Sequence, residues 1–213
     1  MFQIVVNTIK VYKMKSSKKV STAINESTVM SAFERINSAI ESRISKSENA
    51  NQARELSISK KLFTIHLASV LVKENADIEN LASVIEINDK NAENFFAQKA
   101  LIKMMKIIKT LSQDIDNLDR YTRNFLTSIL ICDGSISNKE IMQGSSKDVV
   151  CDNLKLRKNA QQIAISTATT QTSSSRRMLS FAKIINYDNS KHTQSFTSNE
   201  MQARIAKIIN YQA

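Results

Sequence analysis

The sequence predicts a mainly α-helical protein, a helical bundle that ends in a small C-terminal β-hairpin. The first observation is that the 213 residues include no proline and only two glycines, Gly134 and Gly144. These residue types mark strand ends and tight turns, so a β-sandwich, a barrel or a glycine-rich nucleotide-binding fold is not expected. The second is that apolar residues recur at helical spacing along most of the chain. The third is a pair of short alternating segments near residue 190, which favours two strands.

The N-terminal half is predicted to hold a basic arm and then a series of helices. Residues 1–28 contain five lysines and one acid, and indicate a flexible arm that either adds phosphate contacts or is an inert tail. Ser31 and Glu34 have capping-box spacing and predict the start of a helix that ends near Ser45. The polar residues 46–54 predict a linker or a weak helix, and the apolar residues 57–73 predict one core helix.

Two more helices are predicted before residue 119. Asp77 is expected to cap a short helix over 78–85. Asn88 or Asp89 is expected to cap a longer helix, whose Phe and Met stripe belongs to the core rather than to a cofactor site. The outer side of that helix is expected to carry Lys99, Lys103, Lys106 and Lys109.

The C-terminal half is predicted to combine short helices with the hairpin. Asp119 or Thr122 opens a helix, residues 132–135 form a turn, and Ser137 and Glu140 form a second capping box. Gly144 is expected to stop that short helix. Helices are then predicted over 152–167 and 173–182 with a short turn between them, followed by strands over 183–188 and 192–197.

Charge is distributed unevenly along the chain. The formal net charge is +10, and residues 150–213 carry nine lysines and arginines against three acids. We divide the chain into the arm (1–28), a helical domain (29–118) and a basic domain (119–213). A basic excess at both ends favours a polyanionic partner, and the plainer alternative is a soluble protein with a basic surface.

Two segments match the spacing of a helix-turn-helix. In the first, residues 81–96, Ala82 is the small residue and Ile85 and Phe96 hold the helices together. Its second helix contains Asp89 and Glu93, which phosphates repel, so we interpret this copy as structural or as a protein contact.

The second helix-turn-helix segment lies at residues 163–179. Ala164 and Ala168 take the small positions, and Met178 and Leu179 anchor the second helix. Ser174 stands where valine or isoleucine is usual. The expected recognition face has no acidic residue, and it offers arginine and glutamine side chains that can bind base edges.

This second segment, followed by the basic hairpin, resembles the winged-helix/helix-turn-helix superfamily over roughly residues 120–200. The resemblance implies binding to duplex DNA, with a helix in the major groove and the hairpin, or wing, against the backbone. The expected DNA-binding residues are Lys158, Thr170, Gln171, Thr172, Ser173, Ser175, Arg176, Arg177, Lys183, Lys191 and His192.

Signals of enzymatic chemistry are few. The chain has two histidines, of which His66 is predicted to be a partly buried helix residue, and it has no metalloprotease, phosphate-loop or catalytic-triad motif. We expect no catalytic residue, no metal, no cofactor and no small-molecule substrate. Cys132 and Cys151 lack metal-ligand spacing and predict reduced thiols of a cytoplasmic protein. No apolar run reaches about 18 residues, so no membrane span is expected.

The first functional hypothesis is a non-enzymatic protein that binds double-stranded DNA. Such a protein could be a transcription regulator, or a replication or partition factor of a phage or other mobile element. We expect it to associate with the nucleoid. A homodimer that forms through the middle helices is one arrangement that fits. The alternative is a helical virion, scaffold or assembly factor that binds a protein partner. RNA binding is the third hypothesis, against which the scarcity of aromatic residues counts.

Overall fold

The computed structural model describes residues 25–48, 50–86, 96–159 and 163–212. Within them the chain forms ten helices and one three-stranded antiparallel sheet, so the predicted mainly helical fold with a C-terminal hairpin is confirmed. The helices are α1 (Glu26–Lys46), α2 (Ala50–Leu62), α3 (Ile65–Lys73), α4 (Ile78–Ile85), α5 (Phe96–Gln113), α6 (Arg120–Ile131), α7 (Asn138–Ser145), α8 (Leu154–Asn159), α9 (Ile165–Phe181) and α10 (Asn199–Ile208). The strands are β1 (Ser135–Ser137), β2 (Ile185–Asp188) and β3 (Thr193–Phe196).

Helix α1 begins earlier than the capping-box spacing predicted. Asn25 is its N-cap, and the Asn25 side chain accepts a hydrogen bond from the Ser27 N–H at 3.0 Å. Ser31 and Glu34 therefore lie inside the helix. A serine and a glutamate three residues apart match the capping-box spacing at any position of a helix, so the spacing alone does not locate its start. Residues 26–28 of the predicted arm are helical, and residues 1–24 lie outside the described residues.

The single helix predicted over 57–73 is two helices. Helix α2 already begins at Ala50, within the predicted linker, and it ends at Leu62, so that two residues separate it from α3. Thr64 caps α3 by accepting a hydrogen bond from the Leu67 N–H at 3.3 Å. Phe63, at the break, is buried and stacks on Phe33 with 5.8 Å between ring centroids. The helical spacing of the apolar residues gave no sign of this break, at which Phe63 contacts Phe33 of α1.

The middle helices agree with the sequence analysis at α4 and differ at α5. Asp77 caps α4 as predicted, accepting from the Asn80 N–H at 3.1 Å. Residues 87–95, with Asn88, Asp89 and most of the first helix-turn-helix candidate, lie outside the described residues, as does the Lys99 side chain. Lys106 and Lys109 are exposed as predicted. Lys103 is only 5% exposed, so its placement on the outer side was wrong.

One apolar core extends from α1 to α10. Helix α5 contacts α2, α3 and α4, and it also contacts α9. Arg204 of α10 forms ion pairs with Glu74 at 3.0 Å and with Asp114 at 2.8 Å, which joins α10 to the ends of α3 and α5. Packing therefore crosses the boundary placed at residues 118 and 119, and the division into domains stays a prediction.

The C-terminal elements are built around a small sheet with strand order β1-β3-β2. Asp119 caps α6 as predicted, and Ser137 and Glu140 form the predicted capping box at the start of α7. The hairpin of β2 and β3 was predicted, but β1 was not. It pairs with β3, Ser135 opposite Ser195, and three residues are too few to give a period-2 signal.

The largest correction concerns residues 152–182. Helix α8 covers only Leu154–Asn159, and residues 160–162 lie outside the described residues. Helix α9 is then continuous for 17 residues, so the turn predicted between residues 167 and 173 does not exist. The sequence of α9 contains no Gly, Pro, Asn or Asp, and serine and threonine form turns more weakly than Asn and Asp do. Its serines and threonines were interpreted as a turn, but they remain helical because the helix packs on its neighbours.

Candidate functional site

Helix α9 has two different sides. Its buried side is centred on Ala168, Met178 and Leu179, which contact the core. Its opposite side is exposed and polar, and we call it the α9 outer face: Ser166, Thr169, Thr170, Ser173 and Arg177. These five residues follow the three-and-four spacing of one helical surface. Four of the five carry hydroxyls, Arg177 adds a positive charge near the C-terminal end, and helix α9 contains no acidic residue.

The buried side of α9 is held by a polar cluster that sequence reasoning missed. The Lys103 ammonium on α5 donates to the Asp119 carboxylate at 3.0 Å and to the Ser175 hydroxyl at 2.9 Å. The Thr122 and Ser175 hydroxyl oxygens are also 3.0 Å apart. Ser175 was predicted to contact DNA, but it is fully buried. In a continuous helix it lies on the same side as Ala168 and Leu179, which is the physical reason for the correction.

The charges in this cluster influence each other. Burial lowers the pKa of the Lys103 ammonium below its usual value, with Asp119 acting in the opposite direction. Burial by itself would raise the pKa of Asp119, but the Lys103 charge and hydrogen bonds from Thr122 more than offset it, so that pKa lies below its usual value. The cluster therefore joins α5, α6 and α9 through an ion pair whose two charges depend on each other.

Arg176 points to the hairpin rather than outward. Its guanidinium donates to the Asn138 side-chain oxygen at 3.1 Å and lies over the Tyr187 ring, 4.2 Å from the centroid. The same Asn138 oxygen accepts from the buried Gln194 amide at 2.5 Å. Asn138 starts α7, Tyr187 lies on β2 and Gln194 on β3, so this network sets the position of the hairpin relative to α9. Arg176 is partly buried and has a structural role that its sequence context did not reveal.

The hairpin tip carries two of the predicted basic residues. Lys191 and His192 are both exposed, and the Tyr187 hydroxyl is 3.2 Å from His192 Nδ1. Asp188 shapes the turn by accepting from the Ser190 and Lys191 N–H groups at 2.9 and 3.2 Å. The Ser190 hydroxyl also donates to Asp188, at 2.6 Å, and this hydrogen bond, followed by that from the Lys191 N–H, lowers the pKa of Asp188. The tip therefore presents one carboxylate beside its basic groups.

The remaining predicted residues occupy different surroundings. Lys158 on α8 and Lys183, which follows the C-cap of α9, are exposed, while Gln171 and Thr172 are half-buried. The Thr172 hydroxyl donates to the Ala168 carbonyl at 2.8 Å. Of the predicted set on α9, Thr170, Ser173 and Arg177 share the outer face, with Gln171, Thr172 and Arg176 beside it and Ser175 behind it.

Sequence reasoning missed Ser166 and Thr169 of the outer face. They were assigned to a first helix and a turn, so their side chains were not placed beside Thr170 and Ser173. The signal that could have found them is helical spacing in a segment without Gly, Pro, Asn or Asp. Asp148 was also missed, and its carboxylate accepts from the Ile165 N–H at 2.9 Å. A carboxylate at the start of α9 repels phosphate from that helix N-terminus.

The described part of the chain offers no group of three or more His, Cys, Asp or Glu residues arranged to hold a metal ion.

His66 is exposed on α3, so its predicted partial burial was wrong. Cys132 and Cys151 are unbridged thiols. Burial first, and then nearby carboxylates, raises the pKa of Cys132, which makes it a poor nucleophile. Among the described helices none has the length and apolarity needed to cross a membrane.

Comparison with known proteins yields no family model, no curated protein and no solved structure that matches this chain.

Proposed function

We propose that this chain is a non-enzymatic protein that binds double-stranded DNA through the α9 outer face and the β2–β3 hairpin, as the winged-helix resemblance implies. The observation that carries the proposal is the pairing of the two elements. A 17-residue helix presents a continuous outer face without acids, and the β2–β3 hairpin, whose tip carries Lys191 and His192 beside Asp188, packs against it. A helix of that length is about 25 Å long and fits the major groove.

The charge of the region supports the same partner. Lys158, Lys183, Lys191 and Arg177 are all exposed in the C-terminal part of the chain. Each can contact a phosphate or, in the case of Arg177, a guanine edge. Arg176 contributes indirectly, because it holds the hairpin against α9 and α7.

The test is fluorescence anisotropy with a labelled random-sequence duplex at about 50 and 200 mM salt. Ser173→Glu places a negative charge in the centre of the outer face, and we expect it to weaken binding at least tenfold. The matched control is Ser38→Glu, the same change at an exposed position in the middle of α1. Wild-type affinity should fall steeply with salt, and equal affinity of the two variants would contradict the placement of the site.

A second candidate function is a helical scaffold or assembly factor. It is favoured by one observation, the exposure of three large apolar residues near the α2–α3 corner: Ile58 at 50%, Leu62 at 61% and Ile65 at 49%. Such a patch is typical of a protein contact. A wild-type protein that is folded but binds no duplex at low salt would favour this function.

A homodimer and a cytoplasmic location fit the same proposal. The α2–α3 patch is a candidate surface for a homodimer, which duplex-binding proteins use to contact two half-sites. Two unbridged cysteines fit a reducing compartment, so we place the protein in the cytoplasm, at the nucleoid when bound to DNA. Transcriptional regulation and the replication or partition of a mobile element are the roles that fit.

A further inference from the structure

We infer that α9 prefers A·T base pairs, because the Thr169 and Thr170 side chains are arranged to contact the methyl group of thymine. This inference rests on the proposed duplex binding and adds to it the class of base pair that the outer face selects.

Each of the two threonine hydroxyls donates its hydrogen to a backbone carbonyl one turn earlier in the helix. The Thr169 hydroxyl donates to the Ile165 carbonyl at 2.8 Å, and the Thr170 hydroxyl donates to the Ser166 carbonyl at 3.0 Å. A threonine hydroxyl has one hydrogen to donate. In this conformation each side chain can therefore offer a partner only its oxygen lone pairs and its methyl group.

That combination matches one kind of base pair. In the major groove, hydrogen-bond donors are the adenine and cytosine amino groups, and the only methyl group is that of thymine. An A·T pair offers both a donor and a methyl group, whereas a G·C pair offers a donor without a methyl group. The guanine acceptors need a hydrogen-bond donor, and the two threonine hydroxyls already donate to backbone carbonyls.

The neighbourhood of the two threonines strengthens the apolar part of the contact. Ile165 lies one turn before Thr169 on the same side of α9 and is 49% exposed. Its side chain extends the apolar surface that the threonine methyls begin. Arg177 lies about two turns further along the outer face, so a guanine or phosphate contact belongs to the other end of the helix.

The experiment compares an A·T-rich duplex with the same duplex in which every thymidine is replaced by deoxyuridine. This change removes only the methyl groups, and we expect wild-type affinity to fall about fourfold for each thymine methyl group that the protein touches. A G·C-rich duplex gives the complementary test: replacing deoxycytidine by 5-methyl-deoxycytidine adds a methyl group beside an amino donor, and wild-type affinity should rise.

Two variants assign the effect to the protein. Thr170→Ser keeps the hydroxyl and removes the methyl, so it should lose part of the discrimination between thymidine and deoxyuridine. Thr170→Val keeps the methyl and should retain that discrimination. Because Thr170 is exposed, both variants should fold. Comparing each variant on both duplexes also removes any effect of deoxyuridine on DNA shape.

The outcomes distinguish the A·T preference from duplex binding itself. Wild-type protein that binds all duplexes equally overturns the A·T preference and leaves duplex binding intact. Discrimination that is unchanged in Thr170→Ser assigns the preference to other residues and also overturns the inference. No binding to any duplex by folded protein overturns the proposed function and the inference with it.

Discussion

Helices α1 and α9 are both long, and both pack against several other helices, but they are held by different kinds of contact. Apart from Arg43, the buried side of α1 is aliphatic and includes Ile36 and Ile40. Its surface carries ion pairs, such as Arg35 with Glu79 at 3.0 Å. Helix α9 differs on both sides: its buried side adds Ser175, which joins the Lys103 cluster, to apolar residues such as Met178 and Leu179, and its outer face has no acidic residue.

The two kinds of contact constrain the helices to different degrees. Aliphatic packing is non-directional, so it holds α1 against its neighbours through shape and buried area. Hydrogen bonds and ion pairs are directional, so the Lys103 and Asn138 networks fix the rotation and register of α9 and of the hairpin beside it. Such control matters for an outer face that has to meet a partner at defined positions.

The buried ion pair behind α9 is where a single substitution should cost most. Asp119→Ala removes the partner of the buried Lys103 together with the N-cap of α6, and we expect it to lower the free energy of unfolding by about 3–5 kcal/mol. Urea denaturation followed by circular dichroism measures the change.

The matched control is Asp77→Ala, which removes the N-cap of α4 without uncovering a buried charge. We expect it to cost about 1 kcal/mol. Equal losses of stability in the two variants would mean that Asp119 acts only as a cap and that the ion pair contributes nothing to the placement of α9.

A more modest effect is expected at the junction between α9 and the hairpin. Asn138→Ala removes the acceptor of both Arg176 and the buried Gln194, and should lower the free energy of unfolding by about 1–3 kcal/mol. It should also weaken duplex binding, because the hairpin is no longer fixed relative to α9. Asn199→Ala is the control, since Asn199 is likewise the first residue of a helix but is exposed. If Asn138→Ala is as stable as that control, the network has no role in holding the hairpin.

Substitutions on the outer face itself should hardly change stability. Arg177→Ala should change the free energy of unfolding by no more than about 1 kcal/mol, because the residue is exposed and its one described ring contact is with Phe181, 5.6 Å from the centroid. It should weaken duplex binding about tenfold and, if it contacts a phosphate, reduce the slope of log affinity against log salt by about 0.9.

Lys61→Ala removes the same charge at an exposed position on α2 and provides the comparison for Arg177→Ala. Affinity that falls equally in the two variants would indicate a general effect of net charge rather than a contact on α9. A large loss of stability in Arg177→Ala would instead show that this residue supports the fold in the way that Arg176 does.

Features that depend on near neighbours could be predicted from the amino-acid sequence. Without proline and with two glycines the chain was predicted to be mainly helical, and it is. Asp77, Asp119 and the Ser137–Glu140 pair start helices where they were expected to, because a capping side chain binds N–H groups two or three residues away. The hairpin was predictable for the same reason, since its strands adjoin a short polar turn.

Features that depend on residues distant in the chain emerged only in the folded protein. Lys103 is buried because Asp119, Thr122 and Ser175 surround its ammonium, and β1 exists because β3 pairs with it. The continuity of α9 through its serines and threonines also depends on residues that are distant in the chain. Their local preference for turns is small, and packing against α5, α6 and α7 outweighs it, which places Ser175 inside and Ser166 and Thr169 on the outer face.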